Sequence, residues 1–128
     1  DHCVQDTHGA EFVAPIESSS LRAVFRKGQN RDVDSYSGFF DNGRRAATGM
    51  GDWLKEQGVK SVDVLGLATD YCVKFTALDA ASLGFETRLL LTGCRGVNIQ
   101  PGDDARAVQA MRDAGVAIVE GPSEQMIP

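Results

Sequence analysis

Cysteine is scarce in this sequence, and what there is does not pair. Cys3, Cys72 and Cys94 make an odd count with no C-x-x-C spacing, which speaks against a disulfide framework and a zinc ribbon. Long apolar runs are missing too. None approaches the roughly 20 residues a membrane helix needs, so no membrane partner is expected. The start, DHCVQDTHGAEF, is polar and carries no apolar secretory core, and a reducing cytoplasm is the simplest expected home. Runs of Lys or Arg are absent as well. With 13 basic against 18 acidic residues the formal net charge is −5, which argues against nucleic acid as a partner. An initial Met is also lacking, and the first residues read as the middle of a longer chain.

What remains is the composition of an ordinary folded domain. A chain of 128 residues is long enough for one domain with a core and too short for two, so residues 1–128 are read as a single domain. Asp1 to Ser20 has no sustained period and reads as loop, punctuated by Gly9 and Pro15. Leu21 to Phe25 reads as a short strand with Lys27 at its carboxyl end, and Gln29 to Gly43 as a long polar loop holding Tyr36, Phe39 and Phe40. A helix is expected over Arg44–Gln57, closed by Gly58. The pattern then predicts a strand over Ser61–Leu67, a helix over Asp70–Leu83 capped by Gly84, and a strand over Thr87–Leu91. Thr92–Pro101 reads as loop, Asp103–Ala114 as a helix with Asp103 as N-cap and Gly115 closing it, and Val116–Val119 as a last strand. Strand and helix alternate, which indicates an α/β fold with a parallel sheet.

One stretch organises the others: GLATDYCVKFTALDA, Gly66 to Ala80. It joins a buried strand to a helix whose apolar Val73, Ala77, Ala80 and Ala81 share one side, so Cys72 falls in the first helical turn. Unpaired N–H groups and the positive end of the helix dipole favour an anion there, which makes Cys72 a candidate nucleophile. Asp70 beside it reads as a helix cap. In open α/β sheets the active site lies outside the carboxyl ends of the strands. Lys27, Ala68 to Cys72 and the Thr92–Gly96 segment all stand at such ends.

These segments resemble a known family. GLATDYCVKFTALDA followed by TGCRGVN (Thr92 to Asn98), with DHCVQDTHGAEF and FRKG (Phe25 to Gly28), is similar to the nicotinamidases (pyrazinamidases) of the isochorismatase-like cysteine hydrolase superfamily, through their C-terminal portion. The resemblance implies a three-layer, Rossmann-like parallel sheet flanked by helices, here lacking its first two strands and so incomplete. The edges facing the gap would be unpaired and apolar, and the chain by itself poorly stable.

The same resemblance implies an Asp–Lys–Cys triad, in which Cys72 matches the nucleophile and Lys27 the lysine. Ala68 and Cys72 match the backbone donors of the oxyanion hole, with a cis peptide at Leu67–Ala68. Tyr36, Leu67 and Tyr71 match the lining of the ring pocket, and His2 matches one ligand of a divalent metal (Zn, Fe or Mn). The implied reaction is hydrolysis of nicotinamide to nicotinate and ammonia through a cysteine thioester, a step of NAD salvage. The triad aspartate and the other metal ligands have no counterpart in these residues and are expected upstream of Asp1. Asp6 and His8 depart from the family's usual Gly and Pro, so His8 is not a matched ligand. Two alternatives stand beside this reading: another amidase of the superfamily acting on a ureido or carbamoyl substrate, and a fragment that catalyses nothing by itself. A homo-oligomer is compatible with either.

Overall fold

A computed structural model of the chain describes residues 3–12 and 21–120. Its centre is a parallel sheet of three strands, β1 (Ser61–Leu67), β2 (Glu86–Arg95) and β3 (Ala117–Val119), ordered β1-β2-β3. Parallel neighbours require crossovers. Here α2 (Lys74–Ser82) links β1 to β2, and α3 (Asp103–Asp113) links β2 to β3. A shorter helix, α1 (Met50–Glu56), precedes β1.

Spacing explains which sides are buried. Val73 and Ala77 lie four apart along the α2 segment, as Ala107 and Met111 do on α3. They close on Leu89, Cys94 and Val116 to form the main core, with Val64 packed against it. A second cluster joins Phe39, Ala80 and Phe85 to Met50, Leu54 and Val62, so α1 and the long loop before it share a core with α2. The alternate residues of β1, Ser61, Asp63, Leu65 and Leu67, are exposed.

The ladder between β1 and β2 is interrupted above Val64: Val64 faces Leu89, whereas Gly66 faces Cys94. The extra length of β2 brings Gly93 so close to β1 that a Cβ there would lie 2.8 Å from the Leu65 Cδ1. A side chain there would make Leu65 shift, and β2 runs four residues beyond the expected Thr87–Leu91, the ladder resuming past the irregularity.

Three other expectations are corrected. Leu21–Phe25 is not a strand. Among the described residues β1 has β2 as its one hydrogen-bonded neighbour, and extended backbone without a ladder partner forms no sheet. Lys27 is held instead by side-chain contacts: the Phe25 ring lies 5.7 Å from that of Trp53, and the Lys27 Nζ donates to the Ser35 carbonyl at 3.0 Å. The helix expected from Arg44 begins at Met50, because Asn42–Arg44 forms a 3-10 turn, Phe40 bridges Ala47, and Gly49 turns with φ of 92°. The N-cap position of α3 is Gly102 rather than Asp103, whose carboxylate instead accepts from the Gln100 N–H at 2.9 Å.

Candidate active site

At the carboxyl end of β1 the chain passes through a cis Leu67–Ala68 peptide into one π-helical turn, Thr69–Val73, and then into α2. The Ala68 carbonyl accepts from both the Tyr71 and Val73 N–H groups, each at 3.1 Å, which folds the turn back on the strand end. Cys72 sits in this turn, half-buried. A wide turn inside a helix is often found at functional positions.

Lys27 reaches Cys72 from the loop. Its Nζ donates to the Cys72 Sγ at 3.1 Å, and its second contact, to Ser35, fixes the ammonium from the other side. A cation held at that distance attracts negative charge developing on sulfur. Of the two remaining cysteines, Cys3 is exposed and Cys94 is buried in the core. Burial pushes the Cys94 thiol up from its ordinary value.

Aromatic rings collect beside the turn. Tyr36 packs on Tyr71 with ring centres 5.4 Å apart, and on Phe75 at 5.6 Å in a stacked arrangement. The sequence singles out the two tyrosines but not Phe75. Its signal is the four-residue spacing from Tyr71, which puts both rings on one helical face. Leu67, the third residue matched to the ring pocket, lies exposed at the end of β1. A surface groove of about 380 Å³ passes Asp70, Tyr71 and Phe75 but has neither Cys72 nor Lys27 in its wall.

Asp70 does not cap the helix. The turn already begins at Thr69, and the Asp70 carboxylate points across to the segment after β2, accepting from the Val97 N–H at 2.9 Å and the Asn98 N–H at 2.8 Å. Burial, with the nearby Asp103, would raise its pKa; the backbone N–H groups of Val97, Asn98 and Asp70 itself outweigh them and leave it lowered.

His2 lies outside the described residues. Among the described residues no group of three or more His, Cys, Asp or Glu side chains could hold a metal ion. A catalytic divalent metal commonly takes three protein ligands, so the described residues do not by themselves fit one. His8 faces Glu11 at 3.2 Å on the surface. No described helix is long and apolar enough to cross a membrane.

The chain as a whole is similar to known proteins in sequence and in fold. Residues 1–122 match the Isochorismatase domain, and the chain belongs to that family. It is 52% identical over 118 residues to a nicotinamidase of Escherichia coli, a match covering 92% of this chain and 55% of that protein. A solved nicotinamidase/pyrazinamidase of Acinetobacter baumanii superposes with a TM-score of 0.91 at 37% identity, over 99% of this chain and 60% of that one. A pyrazinamidase of Pyrococcus horikoshii in complex with zinc superposes with a TM-score of 0.79 at 39% identity, over 94% of this chain and 62% of that one. The chain thus spans a little over half the length of these relatives.

Proposed function

We propose that this chain carries the cysteine-bearing part of a nicotinamidase, an amidohydrolase that converts nicotinamide to nicotinate and ammonia. The observation that carries the reading is the Lys27 Nζ–Cys72 Sγ contact of 3.1 Å on the turn after β1, in a chain similar to nicotinamidases over nine-tenths of its length.

In this reading the Cys72 sulfur attacks the carboxamide carbon, and the carbonyl electron pair moves onto oxygen. Backbone N–H groups of Ala68 and Cys72 receive that oxyanion. The C–N bond then breaks, ammonia leaves with the proton taken from the thiol, and a water cleaves the C–S bond to release nicotinate and restore the thiol. Lys27 steadies charge on sulfur. Tyr36, Leu67 and Tyr71 line the space for the pyridine ring, Tyr36 and Tyr71 being already in contact. The proton transfers call for a general base, which the family supplies as an aspartate with no counterpart among these residues. His2 is proposed as one ligand of a divalent metal (Zn, Fe or Mn), completed by side chains beyond the described residues. The zinc complex of the Pyrococcus pyrazinamidase supports a metal of this kind. The product would feed NAD salvage in the cytoplasm.

The test is ammonia release by the protein in its natural reading frame, offered nicotinamide and, separately, ureido and carbamoyl compounds. Preferential release from nicotinamide, with nicotinate formed in equal amount, is expected. Release from the ureido or carbamoyl compounds alone would transfer the reading to another amidase of the family.

A further inference from the structure

The TGCRGVN segment stands outside the thiol, the lysine and the aromatic rings, yet it is tied to the thiol's own turn. Asp70, two residues before Cys72, is 8% exposed, and its carboxylate accepts from two successive amides of that segment, those of Val97 and Asn98. A buried carboxylate is costly unless it is fully hydrogen-bonded, and two charge-assisted bonds from successive amides are a strong, directional tether. Val97 contributes its backbone N–H to this contact, and the residue is 57% exposed.

The segment is built to present those amides. Asn98 adopts φ of 53°, a left-handed conformation that asparagine tolerates better than most residues. The Asn98 Oδ1 accepts from the Asp104 N–H at 2.8 Å, which pins the segment to the first turn of α3. At Gly96 a Cβ would stand 2.8 Å from the Asp104 Cβ and 3.3 Å from the Asn98 Nδ2, so a side chain there would lift the segment off the helix. One continuous path runs from the Cys72 turn through Asp70 and the Val97–Asn98 amides to the start of α3.

We propose that Asp70 is a positioning residue: by clamping the Val97–Asn98 backbone it holds the turn that aims the Cys72 sulfur at Lys27 and at the bound amide. The proposal rests on the nicotinamidase reading for its activity test alone. Asp70 does not touch the reacting atoms. It removes the freedom of the turn to roll about the end of β1, and a displacement of about 1 Å at a reacting group costs on the order of a hundred-fold in rate.

The test is Asp70→Asn in the protein in its natural reading frame, where the amide can accept from one backbone N–H and sets its own NH2 against the other. On the folded variant, kcat for nicotinamide falls on the order of ten- to a hundred-fold. KM changes by less than kcat, because Tyr71 shares the loosened turn whereas Tyr36 and Phe75 still stack outside it. Iodoacetamide modification of Cys72, followed at its own peptide by mass spectrometry, slows in parallel. A folded variant with a lowered melting temperature but wild-type kcat and alkylation rate would overturn the proposal, since Asp70 would then be structural only. If Asp70→Asn does not fold, hydrogen exchange on the unsubstituted protein decides. Carbamidomethylation of Cys72 accelerates exchange of the Val97 and Asn98 amides if the clamp couples the two segments, and unchanged exchange overturns it. Failure of the wild-type protein to hydrolyse nicotinamide would defeat the proposed function, while the alkylation and exchange results would still judge the clamp.

Discussion

The ammonium of Lys27 lies 3.1 Å from the sulfur of Cys72, across 45 positions of sequence. No ladder positions this lysine. Two hydrogen bonds, to Cys72 and to the Ser35 carbonyl, do so. Replacing Lys27 with Ala removes the one cation bonded to the thiol among the described residues. Alkylation of Cys72 at neutral pH should therefore slow, with Cys3 serving as the exposed internal control. An unchanged rate at Cys72 would mean that the lysine serves another purpose.

The sheet carries its own pH signature. Asp63 on β1 faces Arg88 on β2, and the guanidinium bonds it through two nitrogens, Nε to Oδ1 at 2.7 Å and Nη2 to Oδ2 at 2.8 Å. Those bonds hold the Asp63 carboxyl below its ordinary value, against the opposing effect of burial. A carboxylate whose pKa is lower folded than unfolded adds stability that is fully present above the unfolded value and lost as pH falls through the folded one. Asp63→Asn should lower the melting temperature slightly and by a constant amount between about pH 5 and 8, with the difference closing as pH drops below about 4. The pair is partly exposed, so added salt should shrink the effect. A difference that grew in acid would contradict this account.

Met111 is fully buried between α3 and the sheet, in contact with the same core as Leu89 and Val116. Met111→Ala leaves a cavity and should cost about 2–5 kcal/mol, read from the urea midpoint at unchanged slope. A loss under about 1 kcal/mol would show that the site collapses around the gap.

The 128-residue chain by itself should bind an environment-sensitive hydrophobic dye and tend to associate. Leu65, Leu67, Val97 and Ile99 are each more than half exposed, and among the described residues β1 has hydrogen-bonded strand on one side only. A monomer with a sharp, cooperative melt and no dye binding would contradict this expectation.

What could be read from the sequence followed local signals. The apolar run within Ser61–Leu67 and the glycines at 58, 84 and 115 with φ of 77°, 93° and 97° define elements that form within a few residues, and these fall where expected, although β1 exposes alternate residues instead of being the buried strand expected. The thiol's place at the end of β1 follows from the same pattern. What could not be read depends on partners far along the chain. Leu21–Phe25 has strand-like residues but no ladder to join among the described residues, and β2 is longer than expected because its ladder with β1 resumes at Gly66–Cys94 past an irregularity. Asp70 has the sequence position of a cap. Its actual partners, Val97 and Asn98, are about 27 residues away and appear only once β2 has folded beside β1.

The most direct test of the central claim is Cys72→Ala in the protein in its natural reading frame, with Cys94→Ala beside it as the control for the other cysteine of the strand ends. Ammonia release from nicotinamide should fall by at least about a thousand-fold in the first, with the circular dichroism spectrum unchanged. The second should lose stability but keep turnover while folded, because the Cys94 sulfur packs in the core and bonds to the Leu90 carbonyl. A folded Cys72→Ala protein that still released ammonia at the wild-type rate would contradict the account.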